Sequence, residues 1–153
     1  MVKTYKKKQG LGTRKNRGTR VSSSLVPFQK QITVVFFEML LMIKLYHWKT
    51  YSYATHQATD SLFSKFNDNV DRFMEVLLGK TGVRIDLTNK KNIRLIDLTS
   101  PELLKREIEG FKGYLIGLDD NKALRTMSNA DLFTIRDEIL ADINQFLYLL
   151  TLK

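Results

Sequence analysis

Between Ile32 and Ile43 a single residue, Glu38, carries a charge, and Phe36, Phe37, Met39, Leu40, Leu41 and Met42 point around the whole circumference of any helix built there. A surface helix keeps a polar stripe for water, whereas a helix that is apolar all round needs cover on several sides. The run is also too short to cross a bilayer, which takes about 20 apolar residues. The helix predicted from about Phe28 to Lys49 is therefore expected to be buried, with no membrane span. A chain of 153 residues rarely wraps one helix completely. A second copy is expected to supply part of the cover, so the protein reads as a homo-oligomer, at least a dimer.

Three further stretches carry helical periodicity. Leu62, Phe63, Phe66, Val70, Phe73 and Leu77 share one face of a helix predicted from about Thr55 to Leu78, with Gly79 as its C-terminal stop. From Lys80 to Thr99 the pattern breaks up around Gly82, Asn89 and Asn92. That length suits a long crossover between two parallel helices, although the alternation Val83, Ile85, Leu87 also fits a short strand. A third helix opens at Ser100-Pro101-Glu102, a cap, a proline at the first helical position and an acid near the positive helix end. Gly110, Gly113 and Gly117 lie along one side of it, and mean either a weak helix or a close neighbouring backbone. A fourth helix opens near Ser128-Asn129-Ala130-Asp131, close to a capping box, and runs to about Leu150. The class is all-α, a four-helix bundle with a long crossover between helices two and three.

The net charge of +9 is unevenly spread. Residues 1–24 hold eight bases (Lys3, Lys6, Lys7, Lys8, Arg14, Lys15, Arg17 and Arg20) and no acid, while residues 25–153 hold 17 bases against 16 acids. The chain thus divides into a basic tail, 1–24, and a nearly neutral bundle domain, 25–153. The tail is rich in glycine and serine and poor in apolar residues, so it is expected to be disordered alone. Such an arm suits a polyanion, either nucleic acid or an acidic protein surface. It lacks the apolar core that follows the charges of a secretory signal. With no cysteine there is no disulfide, thiolate nucleophile or zinc–thiolate site, which suits a reducing, intracellular setting, cytoplasmic or nuclear.

The two histidines, His47 and His56, fall where the first helix ends and the second begins. On the second helix His56, Asp60, Asp71 and Glu75 lie within about 100° of one another, beside the apolar face. Imidazoles and carboxylates so arranged can bind iron, zinc or manganese, though most such acids on helices simply face water. No catalytic residue is indicated.

Tyr46-His47-Trp48-Lys49, then His56, then Asp71-Arg72-Phe73-Met74-Glu75 and Leu77-Leu78-Gly79, resemble the Dps branch of the ferritin-like superfamily. There a His-Trp pair ends the first helix, a second His opens the next, and an Asp and a Glu four residues apart follow. The spacings from His56 to Asp71 and from Asp71 to Glu75 match that pattern, while Thr50-Tyr51-Ser52-Tyr53-Ala54 makes the connection between the histidines shorter. The resemblance covers residues 45–79. It implies a ferritin-like bundle, an iron site with ferroxidase-type activity formed between subunits by His47, His56, Asp71 and Glu75, and a tail that binds DNA.

The opening Met1-Val2-Lys3-Thr4-Tyr5-Lys6-Lys7-Lys8, with Arg14-Lys15-Asn16-Arg17 later, also resembles virion proteins of large DNA viruses. The alternative this implies is a capsid or other particle protein that uses the same fold without metal chemistry. A structural or binding role is favoured over a lone enzyme. Di-iron enzymes draw ligands from all four helices, and no histidine follows His56.

Overall fold

A computed structural model describes residues 25–152, and the expected basic tail, 1–24, lies outside the described residues. The described residues form four α-helices: α1 (Leu25–Lys49), α2 (Tyr53–Thr81), α3 (Pro101–Ile116) and α4 (Ala130–Leu149). Two short 3-10 turns join α3 to α4, and no strand occurs among the described residues. Residues 83–87 belong to the expected crossover and do not form the short strand that their alternation also fits, because this stretch bonds to α1 and to its own turn. Gln29 donates to Thr81 and, at 3.4 Å, to the Val83 carbonyl.

α1 and α2 pack antiparallel across a connection of residues 50–52. Their shared core is aromatic. Phe36 is buried edge-on against Phe66 and Phe73, with ring centroids 5.8 and 5.4 Å apart. Ile32, Met39, Met42 and Ile43 fill the rest of this face at 0–1% exposure. The whole of α1, unlike its central apolar run taken alone, is long and apolar enough to cross a membrane by length and composition, which corrects the expectation drawn from that run. One of its faces is the core of this bundle. The expectation of an apolar circumference holds, and its consequence is visible. Phe37 and Leu41, on the face away from the core, remain 41% and 45% exposed.

α2 also packs along α4, with Lys80 against Asp131, Arg72 against Glu138 and Lys65 against Asp142. These pairs rise along one helix as they descend the other, so α2 and α4 are antiparallel. The crossover then follows α1 from its start to its end. Asp86 pairs with Lys30, Arg94 with Glu38, and Asp97 with Lys49. The chain is thereby carried back to the end where α2 began, and α3 runs parallel to α2, as the length of the crossover predicts. At the junction of α3 and α4, buried Arg136 donates to the Leu115 carbonyl and to Asp119, covering the end of α3.

The caps explain where the helices stop. Ser52 accepts from Thr55 N–H and Ser100 from Leu103 N–H, each closing one free amide of a first turn. α2 does not stop at Gly79, as its sequence predicts. It continues to Thr81 and ends at Gly82, whose φ of +66° is left-handed backbone that glycine adopts without steric cost. Ser128 does not cap α4 either. The cap position is Asn129, which makes no side-chain cap bond. Lys80 instead reaches both the Ser128 carbonyl and Asp131, and its bond holds the Asp131 carboxyl below the ordinary carboxylate value.

Gly110 and Gly113 are exposed, and a Cβ added at either meets nothing within 4 Å. Among the described residues no neighbouring backbone approaches them, which leaves the weak-helix reading within one subunit. Gly110→Ala or Gly113→Ala should therefore stabilise α3 by about 0.5–1 kcal/mol. Thermal unfolding of the full chain should show a Tm increase of about 2–4 °C per kcal/mol. A fall in Tm would reveal a neighbouring copy packed against this face.

Candidate functional site

The short connection between α1 and α2 determines what its ends can do. Three residues leave no slack, so His47 in the last turn of α1 and His56 in the first turn of α2 stack face to face. Their centroids are 3.8 Å apart and their planes 23° from parallel. Each ring is held by the backbone of the other. His47 Nδ1 lies 3.0 Å from the His56 carbonyl, and His56 Nδ1 lies 3.0 Å from the His47 carbonyl. A carbonyl oxygen only accepts, so each Nδ1 must carry the proton. In the neutral rings both Nε2 atoms are then lone-pair donors.

Thr59, a turn beyond His56 and fully buried, completes the clamp. Its Oγ1 lies 3.2 Å from His47 Nδ1 and donates within α2 to the Thr55 and His56 carbonyls. His47 is buried at 7% exposure. Its Nε2 faces Asp60, whose Oδ1 is 3.8 Å away, and Asp60 also pairs with Lys44 at 3.9 Å. Lys44 in turn sits over the Phe63 ring at 4.8 Å and near exposed Trp48 at 5.9 Å. An imidazole whose inner nitrogen donates to a fixed backbone acceptor, leaving the outer nitrogen bare, is the usual arrangement of a metal-binding histidine.

The four residues singled out in the sequence therefore divide into two pairs. The structure brings His47 and His56 together. Asp71 and Glu75 are exposed on the same outer stripe of α2 as Asp60 but lie 15 and 19 residues beyond His56. At about 1.5 Å per residue that is roughly 22 and 28 Å along the helix. They cannot meet the histidines of their own chain. Among the described residues of one chain, no group of three or more histidine, aspartate or glutamate side chains forms a metal site.

Two participants carry little signal in the sequence. Thr59 is marked only by its place one turn after His56. Asp60 shares the ligand face, but only the folded hairpin shows that it points at the histidine of the other helix.

These features define an all-helical protein with a preorganised histidine pair at one end of an antiparallel hairpin. The chain belongs to the family of unknown function DUF5856, whose model matches residues 47–150. The match starts at His47 and so includes the histidine pair, α2, the crossover, α3 and α4, but only the last turn of α1. No curated protein and no solved structure matches the chain.

The hydrogen-bond pattern makes a direct prediction. Long-range ¹⁵N correlation spectra of the imidazoles at neutral pH should show His47 and His56 both protonated at Nδ1, with Nε2 of the unprotonated type. A neutral ring protonated at Nε2 with a bare Nδ1 would contradict the reciprocal clamp.

Proposed function

We propose that this chain is a subunit of a Dps-like oligomer with a ferritin-like fold. In this reading a metal site is completed between two copies, and the basic arm binds nucleic acid. The fold assignment is supported by the helix order, the antiparallel α1–α2 and α2–α4 pairs, and the crossover that makes α3 parallel to α2.

One observation carries the inter-subunit reading. The midpoint between His56 and the Asp71–Glu75 pair falls at about residues 63–66 of α2. That level of the hairpin is occupied on α1 by the stretch from Phe36, which meets Phe66, to Lys44, which covers Phe63. This stretch contains Phe37 and Leu41, the apolar residues that the subunit leaves exposed in the middle of α1. A two-fold axis passing there would bury the apolar stripe. It would also lay the histidine end of each copy over the carboxylates of the other, twice per dimer.

The donor set fits the metals that the resemblance implies. Two neutral imidazoles with bare Nε2 atoms and two carboxylates suit iron, zinc or manganese. His47 and His56 of one subunit would hold the ion with Asp71 and Glu75 of the next, and iron bound there would be the species oxidised in a ferroxidase-type reaction. The chain's own contribution is positional, because the stacked pair and Thr59 fix the imidazoles before any metal arrives. A particle-building role without metal chemistry uses the same interface and is the reading that remains if the site binds no iron.

Phe37→Lys/Leu41→Lys should convert the assembly into smaller species in light scattering while its helical content by circular dichroism stays unchanged. The same variant should lose iron binding, although neither substitution removes a proposed ligand. A variant that falls apart yet keeps its iron would sink the shared-site reading.

A further inference from the structure

The bundle itself carries a basic edge. Between Lys80 and Arg94 the sequence holds five bases, Lys80, Arg84, Lys90, Lys91 and Arg94, against one acid, Asp86. The ion pairs sort these residues. Lys80 is engaged with Asp131, Arg94 with Glu38, and Asp86 with Lys30. Arg84, Lys90 and Lys91 are exposed and make no ion pair among the described residues. They leave three uncompensated charges on one segment.

That segment is held in shape. The Asp86 carboxylate accepts from Thr88 N–H at 3.0 Å and from Thr88 Oγ1 at 2.6 Å, and Lys90 N–H closes the turn onto the Leu87 carbonyl at 2.8 Å. The Asp86 carboxyl is held below its ordinary value, first by the Thr88 hydroxyl, then by its amide and by Lys30. Lys90 and Lys91 are thus presented from a fixed turn anchored on α1, and binding there orders little further backbone.

Its position links it to the arm. The chain enters α1 at Leu25, one turn before Gln29, and Gln29 bonds to Thr81 and Val83 next to Arg84. Residues 1–24, with eight bases and no acid, therefore join the bundle at the end where the basic edge begins.

We infer that Arg84, Lys90 and Lys91 of the crossover form a second, rigid contact for nucleic-acid phosphates. The inference rests on the reading that the arm binds nucleic acid, and it adds a site on the folded domain. Nucleic acid suits this edge better than an acidic protein surface. The arm's eight bases have no acid among them, and Arg84, Lys90 and Lys91 have only Asp86 among them, so each stretch calls for a partner of high negative charge density. Duplex DNA presents about one charge per 1.7 Å of axis.

The test is fluorescence anisotropy of a mixed-sequence DNA duplex against the full chain over a range of salt concentrations. It compares the natural chain, full-length Arg84→Gln/Lys90→Gln/Lys91→Gln, and full-length Lys3→Gln/Lys6→Gln/Lys7→Gln/Lys8→Gln. Each phosphate contact contributes about −0.9 to the slope of log affinity against log salt. The crossover variant should therefore lose up to about 3 in slope with its oligomeric mass unchanged, and the arm variant should lose a separate increment. An undiminished slope in the crossover variant, beside a reduced one in the arm variant, overturns this inference and leaves the arm as the binding element. An undiminished slope with altered mass overturns it too, and assigns the edge to contact between copies. Failure of the natural chain to bind duplex DNA at low salt defeats the underlying reading and this inference with it.

Discussion

The packing of Phe36 between Phe66 and Phe73 sets the register on which the rest depends. Truncating a fully buried phenylalanine to alanine costs about 3–5 kcal/mol, a large share of the stability of a single domain. The geometric consequence matters more than the energy. With Phe36 level with these two rings, α1 and α2 reach their common end in step, and a connection of three residues suffices. That connection presses the two imidazoles together and supplies each with the other's backbone carbonyl. A slip of one turn would separate them by about 5 Å.

Much of this is legible in the residues, and the failures have particular causes. The apolar circumference around Phe36–Met42 identifies both a core face and a surplus face, because helical period alone fixes which residues point where. Ser100 and Pro101 mark the start of α3 through local chemistry that needs no tertiary contact. Gly79 misleads because a glycine inside a helix and a glycine that ends one look alike in sequence. Gly82 ends α2 where the chain turns to bring the Val83 carbonyl onto Gln29, a contact 54 residues distant. Ser128 misleads for a similar reason. Lys80, from another helix, occupies the carbonyl and carboxylate around which a local cap would form.

The candidate site divides along the same line. His47 and His56 are conspicuous as the only histidines, and the spacing on α2 marks Asp71 and Glu75. The stacked geometry, the reciprocal carbonyl bonds, the supporting role of Thr59 and the approach of Asp60 all arise between helices, where periodicity is silent. The three-residue connection has a visible consequence as well: it holds each ring against the other's backbone carbonyl, with the Thr59 hydroxyl beside His47.

The central claim is that the histidines of one copy work with the carboxylates of another, and heterodimer complementation tests it most directly. His47→Ala/His56→Ala and Asp71→Ala/Glu75→Ala chains carrying different affinity tags would be co-expressed. Mixed dimers would be purified through both tags and their iron content measured. A shared site predicts that neither variant alone holds iron, while the mixed dimer regains one of its two sites, since one interface pairs intact histidines with intact carboxylates. A mixed dimer as empty as its parents would contradict the shared site.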